Sequence, residues 1–273
     1  VETAKAPLVL SNDGSGVVDA GGPYAPGTRV AIYGGGQLGI TEDGLQQQWV
    51  LVENKRLFPL PDNVDLDTGA ALPINFITAY PALTRVGQVQ PEQHVLVSGA
   101  SGSVGQALIQ LIAALGALPM AIVSSDEKAE RALLAGARVV INQTTQDLQE
   151  AVLEATDGRG ADLALDPVGG PMLGALLSAV RARGTVISIG FIAGNTASIN
   201  LVDLVVHEKR LLGYDAWLES DSEVSMAFDV LTKLVASGAV WPVIDSIFSL
   251  EQYEAAYERL ASRKAAGTIL MRF

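Results

Sequence analysis

The chain has 273 residues, 49% of them hydrophobic, which suffices for one large or two modest domains with a substantial core. Its formal net charge of −12 argues against sequence-independent binding to nucleic acid or to an anionic membrane, both of which reward clustered Lys and Arg. With no cysteine, the chain offers no disulfide, thiolate nucleophile, cysteine-ligated zinc or iron–sulfur cluster.

The opening residues lack an initiator methionine and form no recognisable first element, which points to a chain incomplete at its N-terminus. Nothing there has the pattern of a signal or transit peptide. The most apolar region, Val104 to Val123, is broken by Gln106, Gln110, Gly116 and Pro119, so a soluble, cytoplasmic protein is expected. Residues 1 to about 84 carry Gly, Pro and short apolar runs, as in Gly16-Val17-Val18, Pro26 to Ile32 and Trp49-Val50-Leu51-Val52. They read as β-rich.

From about Pro91 strand and helix patterns alternate, which implies a parallel sheet. The first unit is the most informative. Val95-Leu96-Val97 is an apolar strand, Ser98-Gly99-Ala100-Ser101-Gly102-Ser103-Val104-Gly105 a glycine-rich turn, and Val104, Ala107, Leu108, Leu111, Ile112 and Leu115 recur at helical spacing. A turn that must bring backbone against a pyrophosphate needs residues without side-chain bulk, and the helix behind it can turn its N-terminus to phosphate oxygens. Such turns also join elements that bind nothing, but a strand before, a helix after and a further βα unit are the confirming context of the dinucleotide fingerprint. If Gly102 and Gly105 are its second and third glycines, Ala100 holds the first position, and the tight turn there must accept a methyl group.

The second strand ends at Ile122-Val123-Ser124-Ser125 with no acid on it. An acid at that place would hold the ribose 2′-hydroxyl of NAD. Asp126 and Glu127 follow at once, in a position where Ser125 or Asp126 caps the next helix. Ser124 and Ser125 with Lys128 suit a 2′-phosphate, since hydroxyls donate without repelling and the ammonium supplies countercharge; Lys128 is equally readable as a solvated helix lysine. The first reading points to NADPH, and a charge-assisted contact of roughly 1.5–3 kcal/mol would favour it over NADH by about tenfold to a hundredfold.

Further strands are expected at His94–Val97, Met120–Val123, Val139–Ile141, Leu163–Leu165, Val186–Ile189 and near Leu211-Leu212-Gly213. Met172, Leu173, Leu176, Leu177 and Val180 form one helical stripe, and Val224, Ala227, Phe228, Leu231, Leu234 and Val235 another that Gly238 is placed to end. After Pro242 come a short apolar segment, a helix bearing Tyr253, Ala256, Tyr257 and Leu260, and a last strand, Thr268–Met271.

Together with Asp13 to Val18, Pro26 to Val30, Ala70-Ala71-Leu72-Pro73, Thr78-Ala79-Tyr80, Asp166-Pro167-Val168-Gly169-Gly170 and Gly267 to Leu270, the glycine turn and the Ser124–Lys128 segment carry a resemblance over nearly the whole chain. The chain resembles the medium-chain dehydrogenase/reductase superfamily, in its zinc-independent quinone oxidoreductase branch, which includes zeta-crystallin. Ala100 is what that branch commonly carries at the first glycine position. The resemblance implies an α/β protein: a GroES-like β domain from residues 1–84 and 240–273, lacking its first strands, and a doubly wound, parallel-sheet Rossmann domain over 85–239 that usually forms the dimer contact. It places Thr78 beside the nicotinamide and Gly102, Ser103 and Val104 at the pyrophosphate. Ser124, Ser125 and Lys128 fall around the 2′-phosphate, Val168 near the adenosine, and Gly190, Phe191 and Ile192 near the nicotinamide ring. Gln143 stands where the family often has a tyrosine after Ile-Asn, so one contact to the 2′-phosphate is altered. The early strands that normally supply part of the substrate pocket are expected to be missing.

Both the resemblance and the lack of cysteine set zinc aside, and His94 and His207 read as surface residues rather than ligands. The expected reaction is metal-free hydride transfer from NADPH to a quinone or an activated C=C of a small molecule, whose conjugation takes up the charge. No catalytic acid is identifiable. Tyr33, Tyr80 and Tyr214 are candidate donors with packing as the alternative role, and Phe191, Tyr214 and Trp217 are candidates to line an apolar pocket. An enoyl-thioester reductase and a non-catalytic NADPH-binding protein are the other readings. The former wants a basic groove that so acidic a chain does not show.

Overall fold

The structure is a computed structural model that describes residues 7–262 and 264–273; the expectation about the opening residues lies outside them. In chain order the strands are β1 (Asp13–Val17), β2 (Arg29–Tyr33), β3 (Leu57–Pro59), β4 (His94–Val97), β5 (Leu118–Val123), β6 (Val139–Asn142), β7 (Ala161–Asp166), β8 (Val180–Ser188), β9 (Arg210–Gly213), β10 (Ile244–Ser249) and β11 (Thr268–Arg272). The α-helices are α1 (Leu66–Ala71), α2 (Pro73–Pro81), α3 (Ser103–Ala114), α4 (Asp126–Leu134), α5 (Leu148–Ala155), α6 (Pro171–Ala179), α7 (Leu201–Val206), α8 (Asp221–Ala236) and α9 (Tyr253–Ala261).

The chain divides into two compact units, one of residues up to Ile77 with Ala216–Phe273, the other Thr78–Asp215. The boundaries therefore fall at 77/78 and 215/216, where 84/85 and 239/240 were expected. Residues 78–84 fall in the other unit, and the larger shift is α8, which follows the last nucleotide-domain strand in sequence but packs with the small sheets: Phe228 stacks on Phe58 of β3, ring centroids 3.8 Å apart. Such a pair adds about 0.5–1.5 kcal/mol beyond its area burial.

In Thr78–Asp215 six parallel strands lie in the order β6-β5-β4-β7-β8-β9. Leu96, Met120, Ile122, Ala164 and Val186 from the strands, with Val152 of α5 and Leu176 and Leu177 of α6, make one core cluster. Val180 belongs to it as the first residue of β8, because α6 ends at Ala179. The helix α3 was expected to bury one stripe, yet Gln106, Ile109 and Gln110 are buried along with it.

The other unit holds an antiparallel sheet β1-β2-β3 and a parallel pair β10-β11. Trp49–Val52, one of the apolar runs read as β-rich, joins no ladder. Val50 and Val52 still pack on the Val30–Ile32–Leu38–Leu45 cluster, while Leu51 is exposed. Helices α1 and α2 interrupt the region read as β-rich. Asp65 starts α1 by accepting the Thr68 N–H, 2.8 Å, and Pro73 supplies a first helical residue that needs no N–H partner.

Candidate cofactor site

The turn from β4 to α3 is built around two glycines. Gly99 has φ of 55°, a left-handed conformation, and a Cβ on Gly105 would fall 2.2 Å from the Gly99 carbonyl oxygen. The expectation that Ala100 must make the tight turn is corrected: Gly99 makes it, and Ala100 is fully buried with its N–H on the Ile122 carbonyl at 3.3 Å. The N-cap of α3 is Gly102, in extended conformation, and no side chain caps the helix there. The Gln106 N–H closes the first turn on the Gly102 carbonyl, 2.9 Å, so the amides of Ser103, Val104 and Gly105 precede the helical ladder. A tight turn of small residues leading into a helix N-terminus that no side chain caps is the donor set that a pyrophosphate requires. On that observation the residues present fit a dinucleotide.

The turn stands at the topological switch of the sheet, where β4 lies between β5 and β7 and the chain order reverses. Ser98, at the end of β4, donates its hydroxyl to Asp166 Oδ1 at the end of β7, 2.5 Å away. The same oxygen accepts the N–H groups of Val168, 3.0 Å, and Gly169, 3.1 Å. Asp166 is thus a buried fastener between the glycine turn and the loop after β7. A Cβ on Gly99 would meet the Val168 side chain at 2.8 Å, so the two loops are in contact. The loop after β8 joins them, with the Ala193 N–H on the Val168 carbonyl, 2.9 Å, and Gly190 too close to the Pro167 carbonyl for any side chain.

After β5, Ser125 caps α4 by accepting the Lys128 N–H at 3.4 Å, while Lys128 Nζ donates to Ser124 Oγ at 3.1 Å. Gln143, exposed after β6, binds by its N–H to the Val123 carbonyl, 3.1 Å. The fold therefore gathers Ala100, Gly102–Gly105, Ser124, Ser125, Lys128, Gln143, Val168, Gly190, Phe191 and Ile192 at the carboxyl ends of β4, β5, β6, β7 and β8. Phe191 and Ile192 are each 70% exposed there. Thr78 lies apart from these strand ends in sequence, buried in α2. Trp217 belongs to the other unit and faces Gly36, and the Tyr33 hydroxyl donates to the Ala216 carbonyl, 3.3 Å, within that unit. Tyr214 is buried under the Arg85 guanidinium, 5.8 Å from the ring centre. Lys209, two residues after His207, is buried on the Leu177 carbonyl, 2.7 Å, and Asp203, 2.8 Å.

Sequence reasoning gave no role to Ser98, Asp166 or Asn142. Asp166 had a visible signal, a lone acid closing an apolar strand just before Pro167-Val168-Gly169-Gly170. Ser98 had none, because its role depends on which strand lies beside β4.

Residues 103–233 match a family model described as zinc-binding dehydrogenase. The chain is 29% identical over 275 residues to a 2-haloacrylate reductase of a Burkholderia species, covering 97% of this chain and 81% of that protein. Among solved structures it is similar to quinone oxidoreductase of Pseudomonas syringae pv. tomato DC3000, with TM-score 0.88, 28% identity and coverage of 100% of this chain and 84% of that one. It is also similar to Escherichia coli quinone oxidoreductase complexed with NADPH, with TM-score 0.86, 25% identity and coverage of 98% and 83%. The fold and the turn define a dinucleotide-binding α/β protein. The chain belongs to the medium-chain dehydrogenase/reductase superfamily, in its quinone oxidoreductase-like branch, and by that membership is an NAD(P)-dependent oxidoreductase.

The matched family's description names zinc, but the sequence has no cysteine. Among the described residues no group of three or more His, Asp or Glu is arranged to hold a metal ion, and no helix is long and apolar enough to cross a membrane.

Proposed function

We propose that the protein transfers hydride from NADPH, without a metal, to a small quinone or a C=C conjugated to a carbonyl. The observation that carries the cofactor reading is the Ser124–Lys128 contact at the end of β5, where a dinucleotide's adenosine ribose is held: two hydroxyls and an ammonium, with no acid on the strand. Bound NADPH supplies the hydride. The chain's part is to bind and orient: amides of Ser103 and Val104 with Gly102 on the pyrophosphate, Val168 beside the adenosine, Thr78, Gly190, Phe191 and Ile192 around the nicotinamide, with Ala100 buried beneath the turn. Gln143 stands next to the 2′-phosphate. The acceptor class is supported by the quinone oxidoreductases and the 2-haloacrylate reductase to which the chain is similar, and metal independence by the absence of cysteine thiolates.

A homodimer through the nucleotide-binding unit is part of the same reading. The strand β9 is the edge of the six-stranded sheet, Leu211 and Leu212 on it are exposed, and Leu201, Val202, Val205 and Val206 of α7 are each more than half exposed. An apolar edge of that kind marks an association surface.

The test is NADPH oxidation by the full chain with 1,4-benzoquinone, a short enal and crotonyl-CoA in separate reactions. Turnover is expected with the quinone or the enal, and slower with NADH. NADPH binding with no turnover of any acceptor overturns the enzymatic reading, and turnover confined to crotonyl-CoA replaces it with a thioester reductase.

A further inference from the structure

We infer that Asn142 is a positioning residue that sets the nucleotide preference by holding the carboxylate of Asp126 away from the 2′-phosphate seat. The inference rests on the reading of Ser124, Ser125 and Lys128 as that seat.

Asp126 is the first residue of α4, one position beyond Ser125 and two before Lys128. An acid at this strand end is what a 2′-hydroxyl favours and a 2′-phosphate disfavours, so a free Asp126 carboxylate would oppose the countercharge of Lys128. It is not free. Asn142 Nδ2 donates to Asp126 Oδ1 at 2.8 Å.

Asn142 can act as a fixed anchor because each of its own groups is engaged. It is the last residue of β6, paired in register with Val123, the residue before Ser124. It is 8% exposed. Its side-chain carbonyl accepts from the Thr144 hydroxyl, 2.7 Å, and the Thr144 N–H, 3.1 Å, and its own N–H donates to Gln146 Oε1, 2.9 Å. With the carbonyl end committed to Thr144, the amide presents its NH2 to Asp126 and cannot turn away without breaking those bonds. The neighbouring acid is also engaged, since Glu127 pairs with Arg131 at 2.7 Å. The ammonium of Lys128 lies on Ser124. Two acids beside the seat are thus held by partners, and Asn142 is the buried one of those partners.

The experiment measures Kd for NADPH and NADH by quenching of protein fluorescence, which needs no turnover, in the wild type, Asn142→Leu, Asn142→Ala, Asp126→Asn and Asn142→Leu/Asp126→Asn, each checked for the wild-type melting profile. Loss of the amide donor should lower the wild-type preference for NADPH at least tenfold, with NADPH weakened and NADH unchanged or tightened. Adding Asp126→Asn should restore NADPH binding to within about threefold, and Asp126→Asn alone should change little, because the anchor already holds that carboxylate. Equal loss of both nucleotides, or no restoration by the second substitution, overturns the inference and leaves Asn142 a structural residue. If Asn142→Leu does not fold, Asn142→Ala carries the same comparison. A wild type that binds NADH as tightly as NADPH overturns the 2′-phosphate reading itself and this inference with it. A wild type that prefers NADPH while the Asn142 variants keep its ratio overturns this inference alone.

Discussion

Gly105, in the first turn of α3, faces the carbonyl of Gly99 so closely that a Cβ would lie 2.2 Å from its oxygen, whereas a Cβ on Gly102 would lie 3.4 Å from the same atom. The fold requires the first glycine, and under the proposed function the bound nucleotide requires the second. Gly105→Ala should therefore lower the melting temperature and weaken nucleotide binding at least tenfold, a loss of about 1.4 kcal/mol or more. Gly102→Ala should leave the melting temperature nearly unchanged and weaken only the nucleotide. Thermal melts with and without NADPH separate the two; equal destabilisation by both variants would contradict the distinction.

Lys128→Glu replaces the ammonium near Ser124 with a carboxylate. NADPH binding should fall by at least the tenfold to hundredfold that a charge-assisted contact of roughly 1.5–3 kcal/mol is worth, while NADH is spared. Titration with each nucleotide decides the matter, and an equal effect on both removes the assignment.

Ser98 and Asp166 should behave as one unit. Asp166→Ala leaves the Ser98 hydroxyl and the Val168 and Gly169 amides without the oxygen that accepts them, at a cost of about 3 kcal/mol or more, against about 1–3 kcal/mol for Ser98→Ala. Urea unfolding of the double variant should show a loss smaller than the sum of the two, since the shared bond is counted twice. Strict additivity would mean that the bond contributes nothing.

The unit of small sheets carries its own pH dependence. Burial pushes the Asp13 carboxyl up to about 6 from an ordinary 3.8, against the lowering effect of the Ile74 N–H it accepts at 3.1 Å. Because the folded value lies above the unfolded one, Asp13 leaves stability untouched below about pH 4, reduces it as pH rises through about 6, and keeps it reduced above. Asn in its place still accepts the Ile74 N–H without the charge. Asp13→Asn should thus raise the melting temperature relative to the wild type by about 2 °C or more at pH 7.5 and hardly at all at pH 4. A pH-independent difference would show that the carboxyl is not ionising as described.

Much of the nucleotide-binding unit was legible. The apolar runs at 94–97, 139–141 and 211–213 lie within the observed strands, and Gly238, with φ of 73°, stands just past the end of α8. The inner parallel strands are buried on both faces, so their sequences are unbroken apolar runs that little else imitates, whereas the run at 211–213 lies on the exposed edge strand β9. The first third was less legible. Helices α1 and α2 announce themselves only by a cap at Asp65 and by Pro73, and the apolar run Trp49–Val52, read as β-rich, pairs with no strand. With the fingerprint aligned on Gly102 and Gly105, Ala100 takes the first glycine position, where the tight turn must accept a methyl group. Backbone conformation, which spacing does not report, puts the left-handed residue of the turn at Gly99.

By itself the sequence determined the class of ligand, because small residues between an apolar strand and a helix are a local fact, and it showed that the chain offers no cysteine thiolate. Tertiary structure decided everything that depends on neighbours across the sheet. Ser98 and Asp166 are 68 residues apart and meet only because β7 lies beside β4. Asp126 and Asn142 meet because β6 lies beside β5, and α8 joins the small sheets because Phe228 finds Phe58. Hydrogen bonds and ring stacking act over a few ångströms of space, and chain position does not reveal which residues the fold will bring that close.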